Sequence, residues 1–193
     1  LTGEFSLGAE TSTTTNAVVG TVSGGLIAGA GAETENTVTS TTEAVIGDHA
    51  NIQADSISIQ AVNRISKPAD SDGNISGTTG GLISGAGADS DTEIAFSAKA
   101  DLGDYAQLRA TGSGAASGNF RVTTLNEITA GDKINFTTGG ALTGLGATTS
   151  IITTRDDAIV EVGDHSSLTS AGEIYLSARG QGNISTTVNA DTY

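Results

Sequence analysis

The sequence contains no cysteine, methionine or tryptophan, one proline (Pro68), three tyrosines and four phenylalanines. Without cysteine, disulfides, thiolate nucleophiles and Cys-based metal sites are excluded. With so few large side chains, the core cannot be the aromatic-rich kind usual in an enzyme of this size. No apolar run approaches the roughly 20 residues needed to cross a bilayer. Basic residues are scarce as well: eight Lys and Arg stand singly among 22 Asp and Glu, for a net charge of −14. Phosphate binding needs clustered cations, so nucleic acid is not an expected partner. The acidity suits a sheet-rich surface that must stay soluble and resist edge pairing. The chain starts at Leu1 with no targeting pattern, so any signal is expected to have been removed or to lie outside this segment.

What is present is glycine, 27 residues of it, together with abundant Ser and Thr and evenly spaced Ile, Val and Leu. Even spacing of apolar residues argues for repetitive β-structure rather than disorder. Three markers recur in phase. "GGLIAGAGA" begins at Gly24, "GGLISGAGA" at Gly80 and "GGALTGLGA" at Gly139. Gly-Asp followed by a ring occurs at Gly47-Asp48-His49, Gly103-Asp104-Tyr105 and Gly163-Asp164-His165, each 23, 23 or 24 residues after its double glycine. A short alternating strand contains Phe5, Ile57, Phe120 and Ile174 as one column and Leu7, Ile59, Val122 and Leu176 as the next. Apolar residues at every second position give a strand one buried face. No segment carries a helical period with caps.

These markers predict an all-β fold, a parallel β-helix in one solenoid segment over residues 1–193. The repeats run over approximately 3–54, 55–117 and 118–171, with a partial one at 172–193. Because Phe5 to Gly24 and Phe120 to Gly139 both span 19 residues, each 52–63-residue repeat is expected to wind as three rungs of about 19. Roughly ten rungs at about 4.8 Å would make a rod about 48 Å long. The Gly-Ala runs are expected to form a tight interior wall, with Leu26, Leu82 and Leu142 supplying bulk; the alternative is an outward strip that lets another rod pack flat. The Gly-Asp turns use glycine's left-handed conformation and the Asp side chain's bonds to backbone N–H groups. Ser and Thr in neighbouring rungs are expected to stack as hydrogen-bonded ladders. Two excursions are expected, "TGSGAAS" over 111–117 and "KPADSDGN" over 67–74.

The sequence "GGLIAGAGA", a Thr/Asn-rich strand, "EAVIGDHANIQA" and "DSISIQA", in that order, resembles the repeats of very large secreted bacterial proteins, the filamentous-haemagglutinin-like and leukotoxin-type filamentous adhesins. The likeness spans nearly the whole chain. It implies a right-handed coil, export from the cell, and adhesive or matrix-forming roles, and it brings no catalytic residues with it.

Catalytic, cofactor-binding and metal-ligating residues are all expected to be none. His49 and His165 share a column with Tyr105, but with three rungs between neighbours adjacent members would be about 14 Å apart and the two histidines farther still, too far to share a proton or a metal. Asp70, Asp72 and Asn74, and likewise Asp89, Asp91 and Glu93, alternate as a hard cation wants. Neither completes an EF-hand: the position of the bidentate Glu falls on Gly81 or Ala100. Calcium is thus a weak candidate, and a solvated polar loop the better reading. The expected function is a structural and adhesive rod in an extracellular filament, stalk or sheath. Its expected partners are other copies, end to end or side by side, and cell-surface or matrix glycans. The alternative is a β-helix module that binds or cleaves carbohydrate, which would need a groove with paired carboxylates and aromatic platforms.

Overall fold

The computed structural model describes residues 3–113 and 118–193. It is 79% strand, with no helix among the described residues. The strands are β1 (Glu4–Thr14), β2 (Val19–Gly24), β3 (Ile27–Ile46), β4 (Asn51–Ala54), β5 (Ser56–Lys67), β6 (Ile75–Gly80), β7 (Ile83–Leu102), β8 (Gln107–Ala110), β9 (Phe120–Gly139), β10 (Leu142–Val162), β11 (Ser167–Ser170) and β12 (Ile174–Thr192). All strand pairing among the described residues is parallel. One sheet stacks β1, β5, β9 and β12, with β2 and β6 alongside the second half of β9. A second stacks β3, β7 and β10, and a short third stacks β4, β8 and β11.

The expected columns form. Phe5 pairs with Ile57, Ile57 with Phe120 and Phe120 with Ile174, so the four stand in one file. Leu7, Ile59, Val122 and Leu176 make the adjacent inward file. The layer spacing corrects the expectation, however. Hydrogen-bonded neighbours are a whole repeat apart, as in Ile46 with Leu102 and Leu102 with Val162. One repeat therefore contributes one layer, not three layers of 19 residues. The 19-residue interval from Phe120 to Gly139 is the length of a single strand, β9. At about 3.3 Å per residue such a strand spans about 66 Å, so each layer is wide, and four layers at about 4.8 Å replace the ten-layer rod.

Two long strands and one short one per layer pack the first and second sheets face to face. Alternation decides which side chains lie between them. In β7 the inward set runs Ala86, Ala88, Ser90, Thr92, Ile94, Phe96, Ala98, Ala100 and Leu102. The same parity turns Gly85 and Gly87 outward. The Gly-Ala run is thus a half-buried alanine wall with glycine on its outer side, which corrects the expected all-interior wall. Leu26, Leu82 and Leu142 do not fill the interior either; they are 80%, 60% and 65% exposed.

The interior is divided along the strands. One apolar cluster, containing Ile57, Ile59, Leu102, Leu108, Phe120 and Val122, sits where the three sheets meet. A second holds Ile65, Ile94, Phe96 and Ile128, and a third Ile75, Ile134 and Phe136 beside the alanines. A polar belt separates the first from the second. Asn63 Nδ2 donates to the Ser40 and Ser97 carbonyls, at 3.1 and 3.0 Å, while Ser40 Oγ donates to Asn63 Oδ1. One layer up, Asn126 Nδ2 donates to the Asp157 carbonyl at 2.7 Å. Hydroxyl ladders form only in places: Thr34 bonds Ser90, whereas the buried hydroxyls of Thr42, Thr79, Thr92 and Thr124 have no hydrogen-bond partner.

Both irregularities in spacing have a structural cause. The 24-residue interval in the third repeat is a β-bulge: Thr153 pairs with Ile94 and Arg155 with Ala95, leaving Thr154 unpaired. The "TGSGAAS" excursion leaves from the corner between β8 and β9; its residues 114–117 lie outside the described ones. Gly112 and Gly118, both at positive φ (65° and 70°), pinch its neck together. In the other excursion, Lys67 is not part of a protruding loop. It is the buried last residue of β5; residues 68–72 bulge outward, the buried Gly73 and Asn74 lead back into β6, and β9 runs on unbroken in the next layer.

Stacking also explains the recurrence of Gly-Asp. A Cβ on Gly103 would sit 2.5 Å from Asp48 Oδ1 and 2.7 Å from Asp48 N, and one on Gly163 would sit 2.6 Å from Asp104 N. Gly47, in the first layer, has nothing within 4 Å. Gly103→Ala and Gly163→Ala should therefore each cost at least about 1–3 kcal/mol, while Gly47→Ala should stay within about 0.5 kcal/mol. Urea unfolding of the three variants checks this; equal losses would contradict layer-on-layer nesting.

Candidate functional site: the ring column and the outer sheet faces

At the corner after the second sheet, His49, Tyr105 and His165 all take left-handed φ (57°, 55° and 59°), which turns their rings the same way. The pairing of layers then stacks them. The His49 and Tyr105 ring centroids are 5.1 Å apart with planes at 17°, and Tyr105 and His165 are 4.9 Å apart at 7°. The expected separation of about 14 Å was built on three rungs per repeat and is corrected with it. Beside the rings runs an aspartate ladder: Asp48 Oδ1 accepts from Asp104 N at 2.9 Å, and Asp104 Oδ1 from Asp164 N at 2.7 Å. Each turn thereby satisfies the one above it. Tyr105 has a ring against each of its faces, so it offers solvent an edge and a hydroxyl rather than the open platform a sugar ring stacks on.

The outer face of the second sheet carries three bands. Nearest the double-glycine turn is an apolar ridge of Leu26, Ile27, Leu82, Ile83 and Leu142, all exposed. Next comes the glycine strip, a shallow hollow of about 700 Å³ floored by Gly31, Gly87 and Gly146. A Cβ on Gly29, Gly31, Gly144 or Gly146 would meet nothing within 4 Å, so nothing within the chain requires glycine there. Beyond the strip lies an acidic band in which Glu33 pairs in register with Asp89 and Glu35 with Asp91. Such like-charge neighbours are unfavourable in a sheet. Elsewhere cations bridge carboxylates: Arg64 contacts both Glu10 and Glu127, and Lys99 lies 2.8 Å from Asp101 and 2.7 Å from Glu161. Those two carboxylates hold the Lys99 ammonium well above the ordinary lysine range.

The two calcium candidates are far apart in character. Asp89, Asp91 and Glu93 point outward from β7 in a row. Asp70 and Asp72 belong to the bulge and Asn74 to its return; Asp70 Oδ1 accepts from Asp72 N and Asn74 Oδ1 accepts from Lys133 N. Among the described residues no group of three or more His, Cys, Asp or Glu side chains is arranged to hold a metal. Nor is any helix there long and apolar enough to cross a membrane. No family model, curated protein or solved structure matches this chain.

Sequence reasoning missed Asp55, which ties a corner together. Its Oδ1 accepts from Ser113 Oγ and its Oδ2 from Gly3 N at 2.7 Å. Those two bonds, the hydroxyl's first, hold its carboxyl below the usual aspartate range. A lowered value stabilises the fold above the unfolded-state value of about 3.9, and the contribution fades as pH falls through the folded value. Asp55→Asn should thus melt below wild type at pH 7, with the gap closing in strong acid. Thermal unfolding across pH 2–7 checks this; a gap independent of pH would contradict it.

Proposed function

We propose that the chain is a segment of a right-handed β-solenoid rod that serves as a structural and adhesive element of an extracellular filament, stalk or sheath. The observation that carries this reading is register: equivalent residues of successive repeats stand one layer apart, so each exposed feature recurs along the stack. The ring column, the glycine strip and the apolar ridge are each built from all three full repeats. A surface of this kind suits many weak, identical contacts summed along a stiff support, which is how avidity arises. The outward glycine strip supports side-by-side packing of rods, since glycine in a strand interior weakens the strand and here answers no steric need within the chain. Neighbouring copies and surface glycans are the proposed partners.

The competing reading, a module that binds or cleaves carbohydrate at one site, predicts that a single substitution at that site abolishes binding or turnover. The chain displayed in many copies on beads should bind cell-surface or matrix glycans at least about 100-fold more tightly than the free chain. Equal binding by the free chain, or polysaccharide turnover abolished by one carboxylate substitution, would overturn the adhesive reading.

A further inference from the structure

The polar belt between the second and third apolar clusters contains an amine and a carboxylate that no surface role explains. Lys67 and Asp132 are both buried, with side chains 1% and 0% exposed, and their Nζ and Oδ1 atoms lie 3.2 Å apart. Lys67 Nζ also donates to the Gly131 carbonyl at 3.2 Å. Asp132 Oδ2 accepts from Thr149 Oγ1 at 3.0 Å and from Ser90 Oγ, which in turn bonds Thr34. Asp132 Oδ1 receives no directed hydrogen bond, although the amine is beside it. A buried ion pair is a poor source of stability. An amine held beside one oxygen of a carboxyl group whose other oxygen is gripped by two hydroxyl donors is, in contrast, a good arrangement for acyl transfer.

We infer that Lys67 and Asp132 condense to an amide, a covalent clamp between adjacent layers. The ammonium passes one proton to Oδ1, and the freed Nζ lone pair attacks Cγ. Ser90 and Thr149 stabilise the charge that gathers on Oδ2. The Nζ–Cγ bond forms, a second amine proton moves to Oδ1, and the Cγ–Oδ1 bond breaks to release water. Three protons on the ammonium thus become one on the amide and two on the departing water, with no oxidant or other reactant required. The clamp falls where β5 gives way to the 68–72 bulge, the place at which layer-to-layer pairing in the first sheet is interrupted. It does not depend on the adhesive reading.

Mass spectrometry of the denatured 193-residue chain tests this. The wild type should be lighter than its sequence mass by one water, and digestion should yield a branched peptide joining Lys67 to Asp132. Lys67→Arg should appear at full mass, and Ser90→Ala with Thr149→Val should slow the loss. A wild-type chain at full mass, shown to be folded by far-ultraviolet circular dichroism, would overturn the inference whatever the variants do. So would a lighter mass that persists in Lys67→Arg, because Asp72-Gly73 can lose water by cyclising on its own.

Discussion

Parallel hydrogen bonding between strands one full repeat apart obliges every layer to copy the outline of the one beneath it. The strand β9 runs in register with β5 and β6 on one side and with β12 on the other, and residues that find no place in that register have to be expelled. Thr154 is expelled as a bulge, Gly112 and Gly118 close together at the corner between β8 and β9, and 68–72 loop away from the sheet. Length variation survives only where it can leave the stack. Glycine follows the same rule at the turns: it stands where a side chain would collide with the backbone of the preceding layer, and the first-layer Gly47 escapes that demand.

The same constraint shapes the interior. Two sheets facing each other at roughly 10 Å leave room for one stratum of side chains from each. Large residues are met by small ones; Phe136, for instance, lies over Gly77, where a Cβ would fall 2.5 Å from its ring. The Asn and Lys–Asp belts interrupt the apolar clusters at fixed points along strands about 66 Å long. A slipped layer would set Asn63 or Lys67 against an apolar cluster, and a buried polar group without its partner is costly. The belts therefore fix register where uniform alternation of Val, Thr and Ala would leave it loose.

Much of this was legible in the chain itself. The file of Phe5, Ile57, Phe120 and Ile174 follows from spacing and alternation, and the 23, 23 and 24 residue intervals already carried the bulge at Thr154. The number of layers per repeat was not legible. A 20-residue strand and a 19-residue rung share one alternating pattern, and Gly131-Asp132, which reads as a turn like the other Gly-Asp pairs, lies inside β9. The ring stack was lost with it, since its members approach to about 5 Å only when a repeat is one layer. The facing of the Gly-Ala run could have been found by carrying the parity of Ala44 and Ile46 back along β3, which puts Ala28 inside and Gly29 outside. The pairing of Lys67 with Asp132 joins residues from different repeats with no counterparts in their columns, so no periodicity announces it.

One layer per repeat is the claim on which the rest stands, and the absence of native cysteine makes it directly testable. Glu33 and Asp89 are exposed and in register on neighbouring strands, and disulfides close between Cα atoms about 4.4–6.8 Å apart. In the double variant Glu33→Cys/Asp89→Cys, mild oxidation should link the two positions within a folded monomer. If that pair stays reduced while Glu33→Cys/Ile52→Cys, 19 residues apart, closes instead, the layers are 19-residue rungs and a repeat is not one layer.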